Sequence, residues 1–96
     1  MKRSEILLIL KHYKNNYHER YRFSKIGIFG SAAREAAGEE SDIDIVIEQR
    51  EPDLLFLGSI KTDLENEFDR EVDIVRIREG MNAFLKDRIE REAIYV

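Results

Sequence analysis

Two short apolar runs, and the acids that open the second, constrain this chain most. Ile26-Gly27-Ile28-Phe29 reads as a buried strand inside Phe23 to Phe29, and Gly30 ends it. Ile43 to Glu48 carries Ile-Asp-Ile-Val-Ile, a β-branched run that resists any reading but a strand. Asp42 and Asp44 flank Ile43 at its start, so both carboxylates project from one face while Ile43 points into the core. Like charges on one face repel unless a cation lies between them. Oxygen-only donors favour magnesium or manganese over zinc.

Gly30-Ser31 stands where the first strand turns into a short helix. Glycine lets a phosphate approach the backbone closely. The first N–H groups of the helix, with the Ser31 hydroxyl, would grip anionic oxygens. Arg34, one turn on, can add a bidentate phosphate contact.

The rest of the pattern supplies a scaffold. Ile6, Ile9, Leu10, Tyr13 and Tyr17 recur at helical spacing and predict a helix from residue 4 to about 18, with Ser4 as N-cap and Glu5 in the first turn. Ser31 to Ala37 predicts a short helix stopped by Gly38. A helix from Pro52 or Asp53 to Phe68 follows, with Leu57, Ile60, Leu64 and Phe68 as its apolar stripe. Glu71 to Ile77 alternates as a strand, and Asn82 to Glu92, after a turn at Glu79-Gly80, reads as the last helix. Ala93 to Val96 is apolar for an exposed tail. The expected fold class is α/β, in the order α-β-α-β-α-β-α. A small mixed sheet of about three strands is packed with helices in one domain over residues 1–96.

Asp73, between Val72 and Ile74, is the strand-embedded acid that would complete a metal site with Asp42 and Asp44; Glu71 is a weaker candidate. An Asp-x-Asp pair alone is usually a solvated strand entrance, and a lone Gly-Ser is usually a turn. Here they fall with Asp73 and Arg34 at the ends of three successive strands, where α/β folds collect ligands. That coincidence favours a nucleotide site. His12 and His18, six apart, do not share a helix face as ligands would. Glu39-Glu40 reads as loop solvation, and Tyr13, Tyr17 and Tyr21 as a core or interface stripe.

Composition narrows the classes. With 96 residues and 43% apolar content the chain can bury a real core but not a deep, enclosed pocket. There is no cysteine, hence no disulfide frame, thiolate zinc site or thiol nucleophile. A net charge of −4 argues against strong general affinity for nucleic acids. The run Ile6 to Leu10 is too short for a signal peptide, and no run approaches the ~20 apolar residues of a membrane span. The expectation is a soluble, cytoplasmic protein.

Gly30-Ser31, ten intervening residues, then Asp42-Ile43-Asp44 resembles the signature of the DNA polymerase β-like nucleotidyltransferases. The chain is more closely similar to the minimal nucleotidyltransferases, small antitoxins encoded beside HEPN-domain toxins. The resemblance implies two magnesium ions held by Asp42, Asp44 and Asp73, and ATP as substrate with its triphosphate on Gly30 and Ser31. It also implies transfer of AMP to a hydroxyl of the toxin, a tyrosine in that family, within a hetero-oligomer. Members often carry Ser-x-x-Arg-Gly; Arg34 matches, but Glu35 replaces the glycine, so the turn after Arg34 and the strength of nucleotide binding are where this chain departs from the pattern. Two other readings remain at this point: an antitoxin that neutralises by binding alone, and a nucleotidyltransferase acting on a small-molecule hydroxyl.

Overall fold

The computed structural model describes residues 1–35 and 42–96. The elements are α1 (Arg3–Tyr17), β1 (Phe23–Phe29), α2 (Gly30–Ala33), β2 (Ile43–Gln49), α3 (Leu54–Phe68), β3 (Val72–Arg76), α4 (Ala83–Glu92) and β4 (Ile94–Tyr95). They build one mixed sheet in the order β3-β2-β1-β4. β1 runs antiparallel to β2 and to β4, and β2 runs parallel to β3 through the α3 crossover.

Alternation along the strands divides the interior. Ile43, Ile45 and Ile47 of β2 join Ile26, Ile28 and Val72 beneath α1 and α3, where Ile6, Leu10, Ile60 and Leu64 complete the larger core. Each such side chain, buried in full, contributes about 1.5–3 kcal/mol. On the opposite face Phe29 and Val46 pack with Ile89 of α4, joined by Val75, Ile77 and Leu85. Asp44 shares that face with Val46, and Asp73 shares it with Val75. The acids therefore lie on the α4 side of the sheet. Among the described residues no helix is long and apolar enough to cross a membrane.

The expected small mixed sheet of about three strands is present with a short fourth one: the apolar end forms β4, pairing Ile94 with Ile28 and Tyr95 with Gly27. Ile94 and Val96 pack on the larger core, which accounts for their apolar character. Two boundary expectations are corrected. The first helix begins at Arg3, ahead of Ser4, because the Glu5 carboxylate reaches back to accept the Lys2 backbone N–H at 3.4 Å. The short helix ends at Ala33, followed by a turn at Arg34 and Glu35; Ala36, Ala37, Gly38, Glu39 and Glu40 lie outside the described residues. The other boundaries agree closely with the sequence. Asp53 caps α3 by accepting from the Phe56 backbone N–H at 3.0 Å, and Asn82 caps α4 by accepting from Leu85 at 3.1 Å.

The tyrosine stripe belongs to the core. Tyr13 and Tyr17 stack at 4.7 Å, Tyr17 and Tyr21 at 5.7 Å, and Tyr21 meets Phe56 at 5.6 Å. The Tyr13 hydroxyl donates to Asp63 at 2.7 Å, tying α1 to α3. Burial, then the Asp63 hydrogen bond, holds that phenol well above its usual range. A raised folded value means stability that is present below the unfolded tyrosine value and is lost as pH rises past it. Tyr13→Phe is thus expected to lower stability by about 1–2 kcal/mol near neutrality. Its stability should then fall less steeply above roughly pH 10 than the parent's, as followed by urea unfolding at several pH values.

Candidate active site

Parallel pairing sets Asp44 of β2 level with Asp73 of β3, while antiparallel pairing sets Asp44 opposite Phe29 of β1. The register thus brings two acids from sequence-distant strands side by side, about 4.8 Å apart along the hydrogen-bonding direction. Asp42 stands one step before β2 and is exposed; Asp73 is exposed, and Asp44 is half-buried. Partial burial pushes the Asp44 carboxyl above its usual range, and the Asp73 charge pushes it further. The Arg88 guanidinium opposes them, Asp42 adds to the rise, and Arg34 lowers it. These acids feel one another, as a cation-holding set must. Glu71, the weaker candidate, is exposed ahead of β3, and its backbone carbonyl accepts from the Ile43 N–H at 3.0 Å.

Gly30 leaves β1 at φ 68°, a left-handed conformation that favours glycine. A Cβ there would run into the Asp44 carboxylate and lie 3.1 Å from an Arg88 guanidinium nitrogen. The glycine is therefore required by what surrounds it as well as by its backbone. Ser31 follows, half-buried in the first turn of α2, and Arg34 is exposed just beyond α2. The structure brings Gly30, Ser31 and Arg34 to the end of β1, beside the start of β2.

Glu35, which stands in place of the family's glycine, has φ 57°. The turn keeps the left-handed geometry that a glycine would favour, at the expense of backbone strain. Its carboxylate lies 3.9 Å from Arg3 Nε, so its charge is engaged with the start of α1. A hollow of about 190 Å³ beside it is lined by Met1, Lys2, Arg3, Ile6, Ala32 and Glu35, and none of the three aspartates borders it.

Two residues of α4 enter the site without a signal in the sequence. Glu92 accepts the Gly30 backbone N–H at 3.1 Å and Arg34 Nη1 at 2.7 Å, and lies 3.4 Å from Arg88 Nε. Burial pushes its carboxyl up, but Arg34, the Gly30 N–H and Arg88 together hold it below the usual range. Arg88 also lies over the Phe29 ring at 5.8 Å. Arg88 and Glu92 read in the sequence as an ordinary i,i+4 pair at a helix end. Only the packing of Ile89 against Phe29 and Val46 turns them toward Gly30.

Among the described residues no three acidic or histidine side chains are already gathered at metal-holding distance. The chemistry fits nonetheless: oxygen donors only, two of them level on neighbouring strands, and a central carboxyl whose charged form is disfavoured by partial burial and then by the Asp73 charge.

A strand-turn-helix with a glycine at its tip, followed by level aspartates on two parallel strands, is an arrangement suited to handling a nucleotide's phosphates. Residues 10–96 match the nucleotidyltransferase domain, and the chain belongs to that family. It is accordingly an enzyme of the nucleotidyl-transferring class.

The chain is 38% identical over 94 residues to a Methanocaldococcus jannaschii protein provisionally named a protein adenylyltransferase, covering 97% of this chain and 96% of that one. It is 34% identical over 93 residues to the protein adenylyltransferase MntA of Thermococcus cleftensis, covering 96% and 93%. Among solved structures, one described provisionally as a minimal nucleotidyltransferase superposes with a TM-score of 0.77 at 30% identity, covering 98% and 95%. A chain from the complex of a tri-AMPylated Shewanella oneidensis HEPN toxin with an MNT antitoxin gives 0.66 at 21% identity, covering 99% and 71%, a likeness of fold.

Proposed function

We propose that this protein is an antitoxin that transfers AMP from ATP to a hydroxyl, a tyrosine by family resemblance, of a HEPN-type toxin. The observation that carries the reading is the level pair Asp44 and Asp73 beside the Gly30 turn. The relatives named protein adenylyltransferases support the transfer, and the toxin–antitoxin complex of like fold supports the partner.

Asp42, Asp44 and Asp73 would hold magnesium. When bound, it lowers the pKa of the acceptor hydroxyl and neutralises charge on the α-phosphate. Gly30 N–H, Ser31 and Arg34 would hold the triphosphate for in-line attack. The acceptor oxygen forms a bond to the α-phosphorus, the bond to the bridging oxygen breaks, and pyrophosphate leaves. Asp73, exposed on β3, would take the acceptor's proton. By family resemblance, the acceptor belongs to the partner.

Incubation with ATP labelled in its α-phosphate, magnesium and the toxin encoded beside this chain should label the toxin. Equal labelling by the Asp42→Asn, Asp44→Asn double variant would remove these residues from the reaction. An unlabelled toxin that is nevertheless neutralised would make the chain an antitoxin acting by binding alone.

A further inference from the structure

Three donors meet one carboxylate in this molecule. Glu92 closes α4 and takes the Gly30 N–H, Arg34 and Arg88 together, at 3.1, 2.7 and 3.4 Å. The Glu92 side chain is only 20% exposed, whereas Arg34 and Arg88 are 48% and 43% exposed. A carboxylate held by a backbone N–H and two guanidinium groups has the charge and hydrogen-bonding pattern of a phosphate oxygen pair. Two of those donors, Gly30 and Arg34, are ones that the nucleotidyltransferase reading assigns to the triphosphate.

We infer that Glu92 is a built-in stand-in for a nucleotide phosphate. ATP must displace it from Gly30 and Arg34, and its departure frees Arg34 and Arg88 to bind the incoming triphosphate. The inference rests on the proposed nucleotide site and adds its regulation.

The exchange follows from electrostatics. Without nucleotide, Arg34 and Arg88 share one corner of α2 and α4 within the field of Asp44, and the Glu92 carboxylate bridges both guanidinium groups and the Gly30 N–H and keeps the turn in place. A triphosphate brings more negative charge than one carboxylate, so both guanidinium groups gain by the change of partner. Glu92 then faces the phosphates as a like charge and has to swing away. β4 follows one residue after α4, so that swing is confined to the side chain and the last turn of the helix.

The test is Mg·ATP binding to the full chain, measured by calorimetry, with thermal unfolding followed with and without Mg·ATP. Glu92→Gln and Glu92→Ala should each bind Mg·ATP tighter than the parent, by about fivefold. Both should unfold at lower temperature than the parent when free, yet gain more from saturating Mg·ATP. In an Arg34→Ala background the gain from Glu92→Gln should shrink, because the contested donor is gone. A residue that only braces α4 would lower stability and affinity together.

Unchanged or weaker binding by both folded Glu92 variants, with a parent that binds ATP, overturns the inference and leaves the nucleotide site standing. Absence of ATP binding in the parent and in every folded variant overturns the nucleotide-site reading, and the inference with it.

Discussion

Asp44→Asn is expected to lower AMP transfer by at least about a hundredfold, and to do so without weakening the fold. Asp44 is the central acid of the three: half-buried, level with Asp73, and within the field of Asp42, Arg88 and Arg34. A neutral amide there keeps the shape but removes one charge from the position where a divalent cation would be held. Asp42→Asn should cost less, since Asp42 is exposed ahead of β2 and freer to be replaced by water. Stability should move the other way. Burial and the Asp73 charge both disfavour the ionised Asp44, so the amide should unfold at an equal or higher temperature than the parent. The parent's extra stability with Mg·ATP should vanish in the variant. Transfer kinetics and thermal unfolding of the same samples check both halves. A variant that transfers AMP at the parental rate would displace Asp44 from the site.

Gly27→Ala is expected to destabilise the fold by about 3 kcal/mol, roughly 10–20 °C in Tm. A Cβ at Gly27 would run into the Ile94 carbonyl oxygen and lie 2.9 Å from both the Ile94 carbonyl carbon and Tyr95 Cα. All of these are backbone atoms, so no rotamer change relieves the clash. β4 would have to leave β1, losing its two register pairs and the bond from the Val96 N–H to the Ile26 carbonyl at 3.1 Å. Ile94 and Val96 would lose their packing on the core. Gly58 supplies the control. It lies within α3 with nothing inside 4 Å of its would-be Cβ, so Gly58→Ala should stabilise by about 0.5–1 kcal/mol. Urea unfolding of the two alanine variants reads both signs.

Elements with strong periodicity or clear punctuation were legible in the sequence. Phe23–Phe29 and the end of α3 at Phe68 fall where the apolar pattern puts them, and Asp53 and Asn82 mark the starts of α3 and α4 as caps. The pairing of Asp44 with Asp73 was legible only as a requirement of the chemistry; the parallel register of β2 and β3 supplies it. β4 escaped because two residues are too few to show alternation, and their partner β1 lies far back in the chain. Arg88 and Glu92 escaped for a related reason: local spacing assigns them to each other, whereas their contacts with Gly30 and Arg34 exist only after α4 packs on the sheet. Glu35 was read as a break from the family's turn, yet the backbone adopts the left-handed geometry regardless of the side chain it carries.

Among the described residues β3 is an outer strand, with β2 on one side and no strand on the other. Asp73 is therefore exposed on a border where another molecule's strand could add, and a charge at such a place discourages that addition. Neutralising Asp73 would remove a proposed metal ligand and a guard against self-association in one step. An inactive Asp73→Asn preparation could owe its silence to lost chemistry or to oligomers that hide the site. Asp44, on an interior strand, carries no such double duty. Size-exclusion chromatography would separate the two causes for Asp73, and solubility as well as catalysis constrains which side chains that position tolerates.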